Sequence, residues 1–355
     1  MEQRINKLIK SIKQVNSDIA NTVINRLDNL TKPKGSLGKL EEFALRYCLI
    51  TSQTDPDTLN KAVLVFAGDH GVTEEGVSAF PKDVTFQMVK NFLKGGAGIN
   101  VLARHVGADV KVIDIGVDYD LSNMDGLVHK KVAYGTQNML KGPAMTRKEA
   151  EQAILAGAEV AEEVIGAGKN ILATGEMGIG NTTPSSALTA VICKKTPRDV
   201  TGRGTGIDKS AYEKKIGLIE KALEINQPDP SDPIDCLSKV GGLEIAGIAG
   251  MILKACQMKV PVVVDGFISG AGAIVAKALC PLVSDYLFCG HCSVEKGHRV
   301  QMEYLGLEPI LNLDMRLGEG TGAVLAMGLI EAGVKIYKEM ATFDQAAVSP
   351  GNEAI

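Results

Sequence analysis

A glycine-rich stretch in the middle of the chain combines one acidic side chain with the features of a phosphate site. It reads A-T-G-E-M-G-I-G-N-T-T over Ala173–Thr183, follows the apolar run Asn170–Ala173 and precedes a predicted helix over Pro184–Cys193. Helix N-termini attract anions and glycines let the backbone approach a ligand, so the turn suits a phosphate. The acid, Glu176, is expected to contact a ribose hydroxyl or a base N–H, and a solvated acid in an ordinary turn is the alternative. The residues assigned to phosphate or ribose here are Gly175, Gly178, Gly180, Asn181 and Thr182.

A second acid, Glu319, lies in a similar glycine-rich turn, Leu317–Gly322, before another predicted helix. A carboxylate in such a cleft acts as a general base when partial burial raises its pKa toward the working pH. We therefore expect Glu176 and Glu319 to be the catalytic pair. A structural cap or a surface acid is the alternative for each.

Two further motifs carry weaker signals. The loop Thr201–Gly206 can bind phosphate through its amides, but it lacks the preceding strand and later acid of a dinucleotide fingerprint. Cys289–Cys292 reads C-G-H-C, as in disulfide isomerases, yet the chain has more strand–helix units than that small fold and no further zinc-ligand spacing. We expect His291 to contact a ligand and the cysteines to pack as apolar residues, with redox or metal chemistry as the alternative.

Composition narrows the class of protein. With 355 residues, a formal net charge of −4 and dispersed lysines, the chain lacks the basic surface of a nucleic-acid-binding protein. The charges in residues 1–13 and the shortness of the apolar runs predict no signal peptide and no membrane span. The seven cysteines have no framework spacing, which indicates a reducing compartment, and we expect a cytoplasmic protein.

Apolar strands alternate with helices along most of the chain. Because parallel strands need crossovers, this pattern predicts an α/β fold of three layers (αβα) around a mainly parallel, doubly wound sheet. Late in the chain we expect a strand over Asp285–Phe288 and separate helices over Ala323–Ala332 and Lys335–Phe343.

Side chains that follow parallel strands are expected to meet at one edge of the sheet, where ligands bind. The side chains expected to meet there are those of Asp69, His70, Glu176, Asp265, His291 and Glu319. No serine or cysteine nucleophile lies in a suitable motif near Asp69 and His70, so for these two we favour a structural or substrate-shaping role.

Taken together, the motifs resemble those of the nicotinate-nucleotide:dimethylbenzimidazole phosphoribosyltransferases of cobalamin biosynthesis. The matching motifs span almost the whole chain in order: K-P-x-G-S-L-G at Lys32–Gly38, F-A-G-D-H-G-V at Phe66–Val72, G-E-M-G-I-G-N-T-T at Gly175–Thr183, D-G-F-I-S at Asp265–Ser269, G-H-x-S-x-E-x-G-H at Gly290–His298 and L-x-M-R-L-G-E-G-T-G-A at Leu313–Ala323.

The resemblance implies a large α/β domain over residues 39–331 and a small helical domain from residues 1–38 and 332–355. It implies a homodimer, with a heterodimer with a paralogue as the alternative, and no metal or organic cofactor. The implied reaction joins nicotinate mononucleotide and an aromatic base into an α-ribotide, releasing nicotinate. By position, Glu319 matches the general base, Glu176 a second acid near the ribose and Lys215 a lysine near the ligand.

The implied reaction makes chemical sense of these residues. Nicotinate leaves from a cationic pyridinium and needs no acid, whereas the incoming base must lose a proton, which Glu319 can accept. Attack opposite the leaving group inverts the β-linkage to α. The phosphate is held by amides and helix N-termini. The further residues expected around phosphate and ribose are Gly202, Arg203, Gly204, Lys215, Asp265, Gly266, His291 and Gly318.

The predicted base site departs from the family pattern. The best-known members carry a serine and an Xaa-Gln contact, whereas here the matching stretches are Phe80–Lys82 and Gln87-Met88. With Leu317, these residues are assigned to the base, and Phe80 and Met88 make a more apolar wall. The hypothesis is that the accepted base is another benzimidazole, a purine or a phenol. The motifs also fit a partner-dependent or non-catalytic nucleotide-binding subunit, and a phosphorylase that uses phosphate as co-substrate.

Overall fold

The computed structural model describes residues 1–204, 206 and 208–349, and a seven-stranded parallel sheet forms the centre of this part of the chain. The strands are β1 (Lys61–Gly68), β2 (Ala108–Gly116), β3 (Leu127–His129), β4 (Ile171–Met177), β5 (Val262–Val264), β6 (Leu287–His291) and β7 (Pro309–Leu311). Their order across the sheet is β3-β2-β1-β4-β5-β6-β7. The order reverses between β1 and β4, which places the expected ligand crevice at their carboxyl ends. The predicted doubly wound α/β fold is confirmed.

Helices cover both faces of the sheet. They are α1 (Glu2–Ser11), α2 (Ala20–Asp28), α3 (Lys39–Thr51), α4 (Val84–Leu93), α5 (Gly98–Val106), α6 (Arg147–Gly166), α7 (Thr182–Ile192), α8 (Pro197–Val200), α9 (Lys209–Asn226), α10 (Pro233–Val240), α11 (Leu243–Gln257), α12 (Phe267–Leu279), α13 (Lys296–Leu305), α14 (Thr321–Glu339) and α15 (Phe343–Ala346). Helices α6, α11 and α12 form one layer, and α3, α5 and α14 form the other. Because β1 is covered on both faces, all its residues are buried and nearly all are apolar.

Helices α6 and α11 lie backbone to backbone. A β carbon at Gly157 would lie 1.9 Å from the Gly247 carbonyl oxygen, and one at Gly250 would lie 1.8 Å from the Ile154 carbonyl oxygen. No residue with a side chain fits at these two glycines without separating the helices. Since α11 also packs on β1 and β4, this contact supports β4, the strand that carries Glu176.

The strand predicted over Asp285–Phe288 is wrong in its position. The structure has a 3₁₀ helix over Pro281–Tyr286, and β6 begins only at Leu287. Proline is compatible with the first turn of a helix, and Pro281 starts this one. His291 is therefore the last residue of its strand instead of following it. The prediction also missed the short β3, α8 and α10.

The two helices predicted over Ala323–Ala332 and Lys335–Phe343 are also wrong, because α14 runs without a break. A glycine in the interior of a helix costs about 1 kcal/mol relative to alanine, so Gly333 would weaken an isolated helix here. In the structure a β carbon at Gly333 would lie 2.4 Å from the Leu40 carbonyl oxygen. The glycine thus permits close packing of α14 on α3.

A separate apolar cluster joins segments from the two ends of the chain. Its members are Val23, Leu27, Leu30, Ala44, Cys48 and Tyr337. In contrast, Ile5 and Leu8 of α1 belong to the main core, and the boundary predicted at residue 332 falls inside α14. The division into two domains stays a prediction, and its residues 350–355 lie outside the described ones.

Candidate active site

A cavity of about 680 Å³ opens at the carboxyl ends of β4, β5 and β6. It brings together most of the side chains that the sequence assigned to a site. The assigned residues that line it are Phe80, Met88, Glu176, Gly178, Asn181, Thr182, Gly204, Asp265, Gly266, His291, Leu317, Gly318 and Glu319. Assigned residues that do not line it are Gln87, Gly175, Gly180, Gly202, Arg203 and Lys215. One residue of the predicted phosphate loop, Thr205, lies outside the described part of the chain.

Glu319 sits between β7 and α14 in a strained backbone conformation. Its φ angle is +65°, a region that non-glycine residues rarely adopt and that is enriched at functional sites. Its Oε2 accepts a hydrogen bond from the backbone N–H of Ile99, at 2.9 Å, near the start of α5. Burial raises the pKa of Glu319, the Ile99 hydrogen bond opposes this, and Asp265 adds to it. The carboxylate is thus held in a partly desolvated position, as a general base requires.

Glu176 lies near the end of β4 and is buried. Burial raises its pKa to about 8, although the amide of Asn181 donates a hydrogen bond to its Oε2. The backbone N–H of Glu319 approaches its Oε1 at 3.4 Å, and a β carbon at Gly318 would lie 2.2 Å from the same oxygen. The carboxyl of Glu176 is therefore protonated near pH 7 and lies directly beside the Glu319 turn.

Asp265 follows β5 and connects it to the Glu319 turn. Its carboxylate accepts hydrogen bonds from the backbone N–H groups of Gly320, Gly322 and Ala323, at 3.2, 2.8 and 2.9 Å. Its Oδ1 also lies 3.8 Å from Nε2 of His291. Asp265 thus caps the N-terminus of α14 and fixes the turn that carries Glu319. A direct contact of Asp265 or His291 with a ligand stays a prediction.

A buried lysine lies behind the predicted phosphate loop. Lys215 of α9 donates a hydrogen bond from Nζ to the Thr182 hydroxyl, at 2.7 Å, and burial lowers its pKa to about 8. A β carbon at Gly204 would lie 3.4 Å from that Nζ. The ammonium therefore lies between the loop and the N-terminus of α7, although it is not itself part of the cavity wall.

Much of the cavity wall is apolar. Phe80 and Leu317 are 53% and 60% exposed, and Met88 projects from α4. Further apolar residues that line the cavity are Val84, Met177, Ile179, Phe267 and Ile268. Gln87, the neighbour of Met88, is exposed and does not line the cavity. This wall can cover a planar aromatic ring.

The expectation that Asp69 and His70 reach the same cavity is wrong. Asp69 Oδ2 accepts the backbone N–H of Asp118 at 2.8 Å, and His70 Nε2 lies 2.9 Å from Glu244 Oε1. A β carbon at Gly178 would lie 3.2 Å from His70 Nε2. The His70 ring therefore lies against the Gly178 turn and Asp69 holds the Asp118 backbone, and neither side chain lines the cavity.

The C-G-H-C motif has the wrong environment for redox chemistry. All cysteines of the chain are free in the structure, and burial raises the pKa of Cys289 to about 12. Redox motifs depend on a lowered thiol pKa, whereas the pKa of the Cys289 thiol is raised. In the described residues no group of at least three His, Cys, Asp or Glu side chains is placed to hold a metal ion.

Comparison with known proteins agrees with this geometry. A family model described as phosphoribosyltransferase matches residues 12–348. The chain belongs to this phosphoribosyltransferase family. A nicotinate-nucleotide–dimethylbenzimidazole phosphoribosyltransferase of Geobacter metallireducens is 59% identical over 98% of this chain and 99% of the relative. One of the same name from Chlorobaculum tepidum is 54% identical over 99% and 100% of the two chains. The crystal structure of CobT from Thermus thermophilus has a TM-score of 0.90 and 47% identity, covering 94% of this chain and 100% of that one.

Four polar residues of this phosphoribosyltransferase cavity were not assigned from the sequence: Ser269, Ser293, Glu295 and Arg316. All four lie inside motifs that carry the family resemblance, and that position was the signal that could have found them. Arg316 donates from Nη1 to the Gly204 carbonyl oxygen, at 3.3 Å.

The described helices include none that is both long and apolar enough to cross a membrane.

Proposed function

We propose that this enzyme transfers the phosphoribosyl group of nicotinate mononucleotide to a benzimidazole-type base for the lower ligand of a cobamide. The bond between C1′ of the ribose and the pyridinium nitrogen breaks, and its electron pair stays on nicotinate. The incoming nitrogen forms the new bond from the opposite face, which gives the α-ribotide. The single observation that carries the proposal is the desolvated carboxylate of Glu319 at the cavity edge, held through Oε2 by Ile99.

In this proposal Glu319 is the general base. Because the Ile99 N–H occupies Oε2, the other carboxylate oxygen takes the N–H proton of the attacking base. The raised pKa of Glu319 improves its match to that task. The protonated carboxyl of Glu176 can both donate to and accept from a ribose hydroxyl, so it orients the sugar without adding a second negative charge.

The 5′-phosphate is proposed to bind between the N-terminus of α7 and the loop that holds Gly204. Thr182 begins α7, where the partial positive charge of the helix N-terminus favours an anion. Lys215 and Arg316 supply positive charge on two sides of Gly204. The phosphate is thus held at this loop and the ribose is oriented by Glu176. Together these contacts keep C1′ of the mononucleotide near Glu319.

The base is proposed to stack on the wall formed by Phe80, Met88 and Leu317. An aromatic ring and a thioether favour an apolar planar partner over one that needs many hydrogen bonds. The departure at Phe80 and Met88 from the family pattern is the ground for the hypothesis that the base is another benzimidazole, a purine or a phenol, and of these the apolar wall favours the benzimidazole. We also propose a cytoplasmic homodimer, to be tested by light scattering and cell fractionation.

The direct test supplies purified protein with nicotinate mononucleotide and a panel of benzimidazoles, adenine and phenols. Nicotinate release and the anomeric form of the product are measured by chromatography and NMR. The proposal expects release that depends on the base and an α-linked product. Release without any base but with phosphate would indicate a phosphorylase, and no release with any base would indicate a non-catalytic or partner-dependent subunit.

A further inference from the structure

Glu295 is a buried acid on the cavity wall that the proposed reaction does not use. It immediately precedes α13, lines the cavity and is 8% exposed. Burial raises the pKa of its carboxyl, whereas Lys215, the Gly204 N–H and Arg316 lower it. Buried acids in this position need a physical reason, because desolvation of a carboxylate is costly.

The carboxylate of Glu295 lies against the backbone of the predicted phosphate loop. Its Oε1 accepts a hydrogen bond from the Gly204 N–H at 3.0 Å. Its Oε2 is buried without a hydrogen-bond partner among the residues that the structure describes. A β carbon at Gly202 would lie only 1.8 Å from that Oε2. Glycine at 202 is thus what lets the carboxylate reach into the loop.

The groups around Glu295 are those that a phosphate would use. The Gly204 N–H that it accepts from belongs to the loop that the sequence assigned to phosphate. Lys215 lies on one side of Gly204, and Arg316 donates to the Gly204 carbonyl oxygen on another. A carboxylate placed here competes for the donors and opposes the charge of an incoming phosphate.

We propose that Glu295 sets the affinity of the enzyme for 5′-phosphates: its carboxylate occupies part of the phosphate site and weakens the binding of both the mononucleotide and the phosphorylated product. This inference rests on the proposed function, since it takes the loop at Gly204 as the phosphate site. Substrate and product carry the same phosphate, so very tight binding of that group would slow product release without helping the chemical step. Glu295 prevents such binding.

The test compares Glu295→Gln with Glu303→Gln, a control that removes one negative charge from an exposed position of α13. Calorimetry measures the affinity of each for nicotinate mononucleotide and for nicotinate riboside, which lacks the phosphate. We expect Glu295→Gln to bind the mononucleotide about tenfold more tightly than wild type. The riboside should bind with unchanged affinity, and Glu303→Gln should bind both ligands like wild type.

A second variant, Glu295→Ala, removes the carboxylate without adding an amide. It shows whether tighter binding in Glu295→Gln comes from the glutamine amide itself, and it provides a second protein if the first variant misfolds. It should also tighten mononucleotide binding. Equal or weaker binding of the mononucleotide, or equal tightening for both ligands, overturns the proposal. Wild-type turnover in the same preparation separates the two claims. If the wild-type protein releases no nicotinate, the proposed function fails. If the wild-type protein is active but the Glu295 variants bind the mononucleotide with unchanged affinity, only the role of Glu295 is overturned.

Discussion

The carboxylate of Glu319 accepts the backbone N–H of Ile99 across a distance of 2.9 Å. This contact joins the turn before α14 to the N-terminus of α5, where the partial positive charge of the helix favours an anion. It also opposes, without cancelling, the rise that burial causes in the pKa of Glu319. One oxygen of the carboxylate is thereby fixed, and the side chain keeps the orientation that proton transfer requires.

Glu176 is expected to make stability depend on pH. Its pKa is about 8 in the folded protein, above the ordinary glutamate value of 4.5 that applies to the unfolded chain. The folded state therefore holds more protons between these values, and the contribution of Glu176 to the free energy of unfolding falls as pH rises through them. Glu176→Gln cannot ionise, so its stability relative to wild type should increase from pH 4.5 to pH 8. Denaturant titrations at several pH values measure this, and parallel curves would refute it.

Lys215 is expected to bind the phosphate through its charge. Lys215→Met should weaken the binding of the mononucleotide about 10- to 100-fold, which is the loss expected for an interaction with a charged group. The binding of the riboside should not change. The ammonium loses its proton near pH 8, so wild-type affinity for the mononucleotide should fall as pH rises through about 8. The variant should lack that decrease. Equal losses for both ligands would place Lys215 outside the phosphate site.

Asp265 is expected to contribute to stability through its cap on α14. Asp265→Asn replaces one acceptor oxygen by an N–H donor facing backbone N–H groups, which should lower the free energy of unfolding by about 1–3 kcal/mol. Asp285→Asn is the matched control, since Asp285 is exposed on a neighbouring segment. Urea denaturation measures both variants. An Asp265 variant as stable as the control would contradict the capping role.

The apolar base wall is expected to set the choice of base. Replacing Phe80 by Ser and Met88 by Gln should raise the KM for an apolar base by about tenfold, from the loss of roughly 50 Å² of apolar contact. The KM for the mononucleotide should not change. Gln87→Ala is the control, because Gln87 lies on the same helix outside the cavity wall. If the variant ranks the base panel in the same order as wild type, the wall does not select the base.

Much of the fold and the core of the site followed from the sequence. Apolar runs followed by glycine turns located most strands, and the shared edge of a parallel sheet brought Glu176, Asp265, His291 and Glu319 together as expected. The position after a strand did not suffice for His70. The chain turns beneath Gly178 there, which depends on long-range packing against Glu244.

Other features leave no local trace in a sequence. Ile99 acts through a backbone N–H, which any residue type except proline would supply, so its role appears only in three dimensions. Gly333 resembled a helix break because the close approach of Leu40 was not visible. Glu295 lay in a recognised motif, but its contact with Gly204 joins segments far apart in the chain.

The most direct test of the proposed mechanism is the turnover of Glu319→Gln, which keeps the shape of the side chain and removes its basicity. Nicotinate release with the best base should fall by a factor of about 10² to 10⁴, as expected for loss of a general base. Affinity for the mononucleotide should stay at the wild-type value. The control Glu339→Gln, which removes an exposed charge at the end of α14, should be fully active. Base-dependent release by Glu319→Gln at the wild-type rate would contradict the central claim.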